Sequence, residues 1–170
     1  MTDLLAPVFQ VQLFFSAISF DVTTFFDDLL RLTLAIFLGG IVGVERQLAG
    51  QSAGLRTHVM VALGSAVFTL AGIATAGGEL HQVTRVVQGV AAGVGFLGAG
   101  AILRSNGDTK VRGLTTAGSI WVAAAMGTSA GLGEYALAAS ATVASLVVLV
   151  VLRPLSHHLD KRSLRHKSPD

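Results

Sequence analysis

The sequence has no cysteine and few charged residues. Asp, Glu, Lys and Arg make up 13% of its 170 residues, about half the share of a typical soluble domain, which is roughly 25%. Without cysteine, neither a disulfide framework nor a thiolate metal site can form. Hydrophobic residues account for 52% of the chain. Low charge and high apolar content together indicate a membrane protein.

The sequence also lacks the motifs of common catalytic sites. It contains no nucleophile elbow, HExxH pair or P-loop, and no Asp or Glu in the interior of its apolar segments. Mg²⁺ prefers carboxylate and water oxygens, so this absence argues against a magnesium path through the membrane. We therefore predict a non-enzyme with no cofactor and no metal site. Nucleic acid is not expected as a partner, since there is no RNA-binding aromatic pattern.

Five apolar segments are each close to the roughly 20 residues that cross ~30 Å of hydrocarbon. They are 29–44, 58–77, 86–103, 114–132 and 134–152. With the N-terminus outside, ten of the twelve Lys and Arg residues lie on the cytoplasmic side, and only Arg31 and Arg85 do not. Basic residues are retained on that side during insertion. The predicted fold is an all-α, polytopic bundle of five transmembrane helices in the lipid bilayer, with a cytoplasmic C-terminus.

The N-terminal stretch 4–20 is apolar but interrupted by Pro7 and two glutamines. We predict that it lies in the membrane interface, and a short sixth span is the alternative. The chain then divides into an N-terminal extension (1–28), a transmembrane domain (29–153) and a basic tail (154–170) that is attracted to anionic headgroups.

Small residues recur every four positions along four of the segments, which places them on one face of each helix. Helices in lipid gain no hydrophobic drive from meeting each other and are held by close contact through such residues. The glycines that we assign to helix packing are Gly39, Gly43, Gly89, Gly93, Gly95 and Gly127. The third segment carries two small-residue faces, so we predict that it lies at the centre of the bundle. Spare faces of this kind also allow a homodimer.

The predicted cytoplasmic ends of the segments carry a cluster of polar residues. Its members are Glu45, Arg46, Arg56, Thr57, Arg104, Arg112, Thr115 and Thr116. The second and fourth segments begin at this face, where free backbone N–H groups and positive dipole ends favour a negative group. Two interpretations stay open. Glu45, Arg56 and Arg112 form an internal ion-pair lock, or the cluster binds or gates a negative group such as a phosphate or a partner's carboxylate.

Four ordered motifs fall on these helix ends. They are GGIVGVERQ, AGLRTHVMVALGSAVF, VVQGVAAGVGFLGAGAILR and VRGLTTAGSIWVAAAMGTSAGLG. Over roughly residues 30–153, these motifs make the chain resemble the membrane domain of the MgtC/SapB family. The family signature falls on 45–47, 53–57, 95–100, 112–114, 116–117 and Trp121.

The resemblance implies a bacterial inner-membrane protein, linked in relatives to growth at low Mg²⁺ and to survival inside host macrophages, hence to virulence. It also implies action by binding other membrane proteins, ATP synthase among them. The chain has His58 and Thr115 where virulence-type members typically have Asn, and it ends about 17 residues after Arg153. We therefore expect a short member without their cytoplasmic ACT-like domain. A regulatory or interaction protein is the predicted function, and a small transporter or channel for Mg²⁺ or an anion such as phosphate is the alternative.

Overall fold

The computed structural model describes residues 22–104 and 111–166, and for 103–104 and 155–166 only their backbone. These residues form five helices and one pair of short strands. The elements are α1 (Val22–Leu48), α2 (Leu55–Thr75), α3 (Leu80–Gly100), β1 (Leu103–Arg104), β2 (Val111–Arg112), α4 (Leu114–Gly131) and α5 (Tyr135–His166). The predicted all-α fold is thus confirmed for the described residues, apart from one small antiparallel ladder that pairs Leu103 with Arg112.

Contacts divide the chain into two units, the first ending at Leu30 and the second beginning at Arg31. In the first unit, residues 22–30 are the start of α1, and the rings of Phe25 and Phe26 meet edge to face with centroids 5.7 Å apart. The predicted interfacial stretch 4–20 lies outside the described residues. Everything below concerns the second unit.

Three of the helices are long and apolar enough to cross a membrane. They are Leu55–Thr75, Leu80–Gly100 and the part of α5 that runs from Tyr135 to Pro154. Their 20 or 21 residues span about 30 Å at 1.5 Å per residue, the thickness of the hydrocarbon core. The predicted spans 29–44 and 114–132 correspond to α1 and α4, which do not meet this standard. Five transmembrane helices therefore stay a prediction, and three are supported.

The most enclosed helix is α4, not α3. Eleven of the 18 residues of α4 are buried, against three of the 21 residues of α3. Our prediction that the third segment is central was wrong among the described residues. The two small-residue faces of α3 led to that prediction, but spacing shows only that a face is smooth and not whether a neighbour covers it.

Close backbone contacts hold α2 between α1 and α4. A Cβ placed on Gly127 of α4 would overlap the carbonyl oxygen of Ala62, and one placed on Gly39 of α1 would lie 2.8 Å from the Ala62 Cβ. A Cβ on Gly43 would lie 2.8 Å from the Cα of Leu55. Such atoms do not fit at these distances, so glycine is needed for the helices to approach this closely.

The predicted packing glycines of α3 lie in a different environment. A Cβ on Gly89, Gly93 or Gly95 would meet no described heavy atom within 4 Å. Gly89 and Gly93 instead line an apolar groove of about 640 Å³ between α3 and α2, with Gly64 and Phe68 on the α2 side. The packing role of these three glycines stays a prediction.

A tight turn joins α4 to α5, as the short connection in the sequence indicates. The hydroxyl of Thr142 lies 2.9 Å from the sulfur of Met126, so the two helices run antiparallel side by side. Gly133 turns the chain with a φ of +80°, a conformation that glycine adopts without a steric penalty. The Nη1 group of Arg31 donates to the carbonyl of Gly131 at 2.8 Å, which places a positive charge at the negative end of α4.

Candidate functional site

At the opposite end of α4, parts of α1, α4, α5 and the α1–α2 connection surround a cavity of about 440 Å³. The residues that line it are Arg46, Ala49, Gln51, Thr115, Val148, Leu149, Leu152 and Arg153. One part of the lining is polar and carries two guanidinium groups. The other part is a strip of aliphatic side chains from α5.

Arg46 is the most buried charged residue of this end, at 3% exposure. Its Nη2 donates to Glu45 Oε1 at 2.7 Å, and its Nε donates to the other carboxylate oxygen. Such two-point pairing fixes the plane of the guanidinium group. The third nitrogen, Nη1, makes no hydrogen bond within the described residues. Arg46 can therefore still donate from a fixed position at the cavity wall.

The predicted lock among Glu45, Arg56 and Arg112 does not form among the described residues. Glu45 pairs with Arg46 instead, and both Arg56 and Arg112 are exposed. The pair forms where both charged groups are largely removed from water, because an ion pair gains more there than on the surface. The side chains of Arg56 and Arg112 remain at the surface.

Gln51 joins the cavity to α4. Its Oε1 accepts a hydrogen bond from the Thr116 hydroxyl at 3.2 Å, and its Nε2 donates to the Ala49 carbonyl at 3.3 Å. A second glutamine of the same region, Gln47, accepts from the backbone N–H of Leu55 at 3.2 Å and so caps the start of α2. These side chains tie α1, the connection after it, α2 and α4 together beside the cavity.

The predicted cluster is therefore only partly assembled. Arg46 and Thr115 line the cavity, while Glu45 and Thr116 contact residues that line it. Arg56 and Thr57 are exposed at the start of α2 and do not line the cavity. Arg104 lies in β1, paired with Val111, and its side chain is outside the described part. Among the described residues, no group of three or more His, Asp or Glu side chains could hold a metal ion.

The sequence of this chain matches the MgtC family profile over residues 32–158. The chain belongs to the MgtC family. Together with the apolar helices, this membership makes it a membrane protein. No solved structure is significantly similar to it.

Several MgtC-family relatives share more than a third of their residues with the chain. SrpB of Synechococcus elongatus is 43% identical over 129 residues, covering 70% of this chain and 71% of SrpB. MgtC of Salmonella typhimurium LT2 is 38% identical over 136 residues, covering 80% and 57%. "Putative magnesium transporter YhiD" of Escherichia coli K12 is 42% identical over 137 residues, covering 77% and 63%. The chain thus spans less than two thirds of MgtC and YhiD.

The Arg-Gly-Leu motif of this MgtC-family chain has a steric explanation. Gly113 precedes α4 with a φ of +91°, and a Cβ there would overlap the carbonyl oxygen of Ala101 at the end of α3. Only glycine satisfies both the left-handed conformation and the close approach. The motif therefore fixes the start of α4 against the end of α3.

His58, which departs from the family pattern of virulence-type members, is a completely buried link between α2 and α4. Its Nδ1–H donates to the Gly54 carbonyl at 2.9 Å, because a carbonyl can only accept. Its Nε2 lies 3.0 Å from the Ser119 hydroxyl, which also lies 2.8 Å from the carbonyl of Thr116. Sequence reasoning noted His58 only as a departure and Ser119 only as a small residue.

Two polar residues that line the cavity, Gln51 and Arg153, were not predicted as site residues. Arg153 follows the last apolar run at the end of the predicted transmembrane domain and was not included in the cluster, yet it lines the cavity. Gln51 lies in a short polar connection and had no motif to distinguish it. The sequence offered only their positions as a signal, since Arg153 follows the fifth apolar segment and Gln51 lies in the polar connection after the first.

Proposed function

We propose that this MgtC-family chain is a bacterial inner-membrane protein that supports growth at low Mg²⁺ by binding other membrane proteins, ATP synthase among them, without itself carrying Mg²⁺ or catalysing a reaction. Its N-terminus is outside and its C-terminus is cytoplasmic in this proposal. Family membership supports the link to magnesium, as do the relatives named MgtC and "Putative magnesium transporter YhiD".

The observation that carries the proposal is the pairing of Glu45 with Arg46. Among the described side chains of the arginine-rich end it is the acidic one, and Arg46 contacts both of its oxygens. A Mg²⁺ ion that used this carboxylate would have to displace a buried guanidinium group and then lie beside it. Mg²⁺ also demands near-octahedral oxygen coordination and gives up its water reluctantly. The described residues therefore favour a negative group over a cation at this end.

Exposed arginines at the same end supply a surface for a negatively charged partner. Arg56 lies in the first turn of α2, and Arg112 lies just before α4. Positive side chains at two helix starts add to the positive ends of the helix dipoles. Exposed charges of this kind steer association and set specificity more than they add stability. An acidic segment of a membrane partner fits this surface.

The test is charge reversal at that surface in a bacterium that lacks its own MgtC-family protein. We expect the double variant R56E/R112E to lose about tenfold of its crosslinking to ATP synthase in membranes at low Mg²⁺, as a change of roughly 1.4 kcal/mol would give. Growth at low Mg²⁺ should slow in parallel. The matched control is R85E, since Arg85 is an exposed arginine of α3 on the predicted opposite side.

Protein levels in the membrane must be measured alongside, because a variant that is absent from the membrane reports on folding. The proposal is wrong if R56E/R112E is present at the normal level and still captures ATP synthase and supports growth like R85E. It is also wrong if the purified chain in liposomes carries Mg²⁺ in a saturable manner, which would favour a transporter.

A further inference from the structure

We propose that the cavity between α1, α4 and α5 is a binding site for a phosphate group, held by the guanidinium groups of Arg46 and Arg153. This site is separate from the exposed arginines to which partner binding is ascribed above. The two proposals can therefore succeed or fail independently.

The first step of the argument is size. A volume of about 440 Å³ lies in the range of small-molecule sites, roughly 300–1,000 Å³, and far exceeds the ~30 Å³ share of one water. A phosphate with an attached organic group fits this volume. The cavity is therefore too large to be explained by a single bridging water.

The second step is a hydrogen-bond donor that is held in position at the wall of the cavity. Arg46 is almost fully buried, is held in one orientation by its two contacts with Glu45, and retains an Nη1 group that makes no hydrogen bond within the described residues. A planar guanidinium group is well matched to phosphate oxygens. Arg153 adds a second guanidinium group to the lining.

The third step is the polar rim. Thr115 lines the cavity in the first turn of α4, and Gly113 at the helix start provides no side-chain cap. The backbone N–H groups of that turn and the positive end of the helix dipole favour an anion. Gln51 adds an amide whose orientation is fixed by Thr116. The polar groups thus converge from α1, the connection and α4.

The fourth step is the aliphatic strip opposite the arginines. Val148, Leu149 and Leu152 belong to the apolar part of α5 that can cross a membrane. Val148 and Leu152 are about half exposed in the structure, so this wall is continuous with a surface that lipid would cover. Inorganic phosphate would leave these side chains without a partner. An anionic phospholipid, whose phosphate is joined to an apolar body, matches both parts of the lining.

The experiment measures binding to the purified full chain in nanodiscs of phosphatidylcholine. One arm adds phosphatidylglycerol, and the other adds inorganic phosphate, with the thermal unfolding midpoint and a photoreactive phosphatidylglycerol as readouts. We expect phosphatidylglycerol to raise the midpoint and to label the chain, with about a tenfold loss of affinity in R153Q, the size expected for one charge-assisted contact. R85Q, which removes an exposed arginine of α3, is the control.

A second pair of variants tests the cavity without touching a charge. V148W fills the cavity, whereas V147W enlarges the neighbouring side chain, which is equally exposed but does not line the cavity. We expect V148W to lose binding and V147W to retain it. This pair decides the question if R153Q does not fold.

The outcomes separate the two sources of phosphate. Binding of phosphatidylglycerol that V148W and R153Q weaken assigns the site to a lipid, and phosphate binding with the same variant pattern assigns it to the free ion. The proposal is overturned if neither phosphate-bearing probe binds more strongly than phosphatidylcholine. It is equally overturned if V148W and R153Q bind as well as their controls.

Discussion

The two sides of α2 carry the same sequence signal and meet different surroundings. Toward α4, a Cβ on Gly127 would overlap the backbone of Ala62. Toward α3, Gly64, Gly89 and Gly93 meet no described atom within 4 Å and border an apolar groove of about 640 Å³. Glycines and alanines at helical spacing therefore permit a close contact on both sides. On the α3 side the structure shows such a contact at Gly72, where a Cβ would lie 2.8 Å from the side chain of Val86, and open space at the other three glycines. The spacing of small residues therefore shows that a helix has a smooth face, and only the contacts show whether another helix packs against that face.

The largest effect should come from enlarging Gly127. Even an alanine Cβ would overlap the Ala62 carbonyl oxygen, and a backbone atom cannot move aside as a flexible side chain can. Overpacking of a core costs typically 1–3 kcal/mol, and we expect G127V to reach at least about 3 kcal/mol. The measurement is the thermal midpoint of the purified protein in detergent, with the amount of protein in the membrane as a second readout. A midpoint within a few degrees of the parent would contradict the contact.

A smaller loss is expected when the polar link on the α4 side of α2 is removed. His58 is fully buried and contacts Gly54 and Ser119, so H58L leaves the Gly54 carbonyl and the Ser119 hydroxyl without this partner. We expect a loss of about 2 kcal/mol, within the range for buried groups left unsatisfied.

The matched variants for His58 are S119A and H58N. S119A should cost less, because the imidazole keeps its bond to Gly54, and H58N should lie between the two, since its shorter amide can retain one contact. Denaturation in detergent ranks the three variants. Equal stability of H58L and the parent would show that the link between α2 and α4 contributes nothing.

The smallest effect is expected on the α3 side. G93A places its Cβ in open space, and alanine favours a helix over glycine by up to ~1 kcal/mol. We therefore expect the thermal midpoint to stay unchanged or to rise slightly. If G93A instead lowers the midpoint or the fraction of crosslinked homodimer, another helix covers the groove in the membrane, and the predicted homodimer would gain its interface.

The sequence predicted the helices well because apolar runs, glycine punctuation and basic residues each act locally. The bounds differed most at α5, which continues to His166 rather than ending at 152, and at α1, which begins at Val22 rather than at 29. The position of each helix in the bundle was harder to predict. The pattern of α3 is richer in glycine than that of α4, and only the burial of the two helices shows which one is enclosed by neighbours.

The sequence predicted where the candidate site lies better than it predicted which of its residues contact each other. Glu45 and Arg46 were included in the cluster. The lock with Arg56 and Arg112, one of the two interpretations left open, does not form among the described residues, since charge alone does not say which arginine is buried beside Glu45. Arg153 was missed because a basic residue after an apolar run is equally suited to a headgroup. Whether it also lines a cavity depends on how α5 packs, and that is not a local property of the sequence.

The enclosure of α4 has a consequence for how this helix can change during evolution. Two of its serine hydroxyls lie close to carbonyl groups of the same helix, as Ser129 donates to the carbonyl of Ala125 and Ser119 lies within hydrogen-bond distance of that of Thr116. Exchanges such as Ala for Ser then cost little, while any increase in volume at Gly127 is excluded. Side chains along α4 can therefore differ in polarity between homologues while the packing of the helix stays the same. Counting membrane spans by length and apolar composition overlooks α4, as it does α1, although neighbouring helices pack around α4.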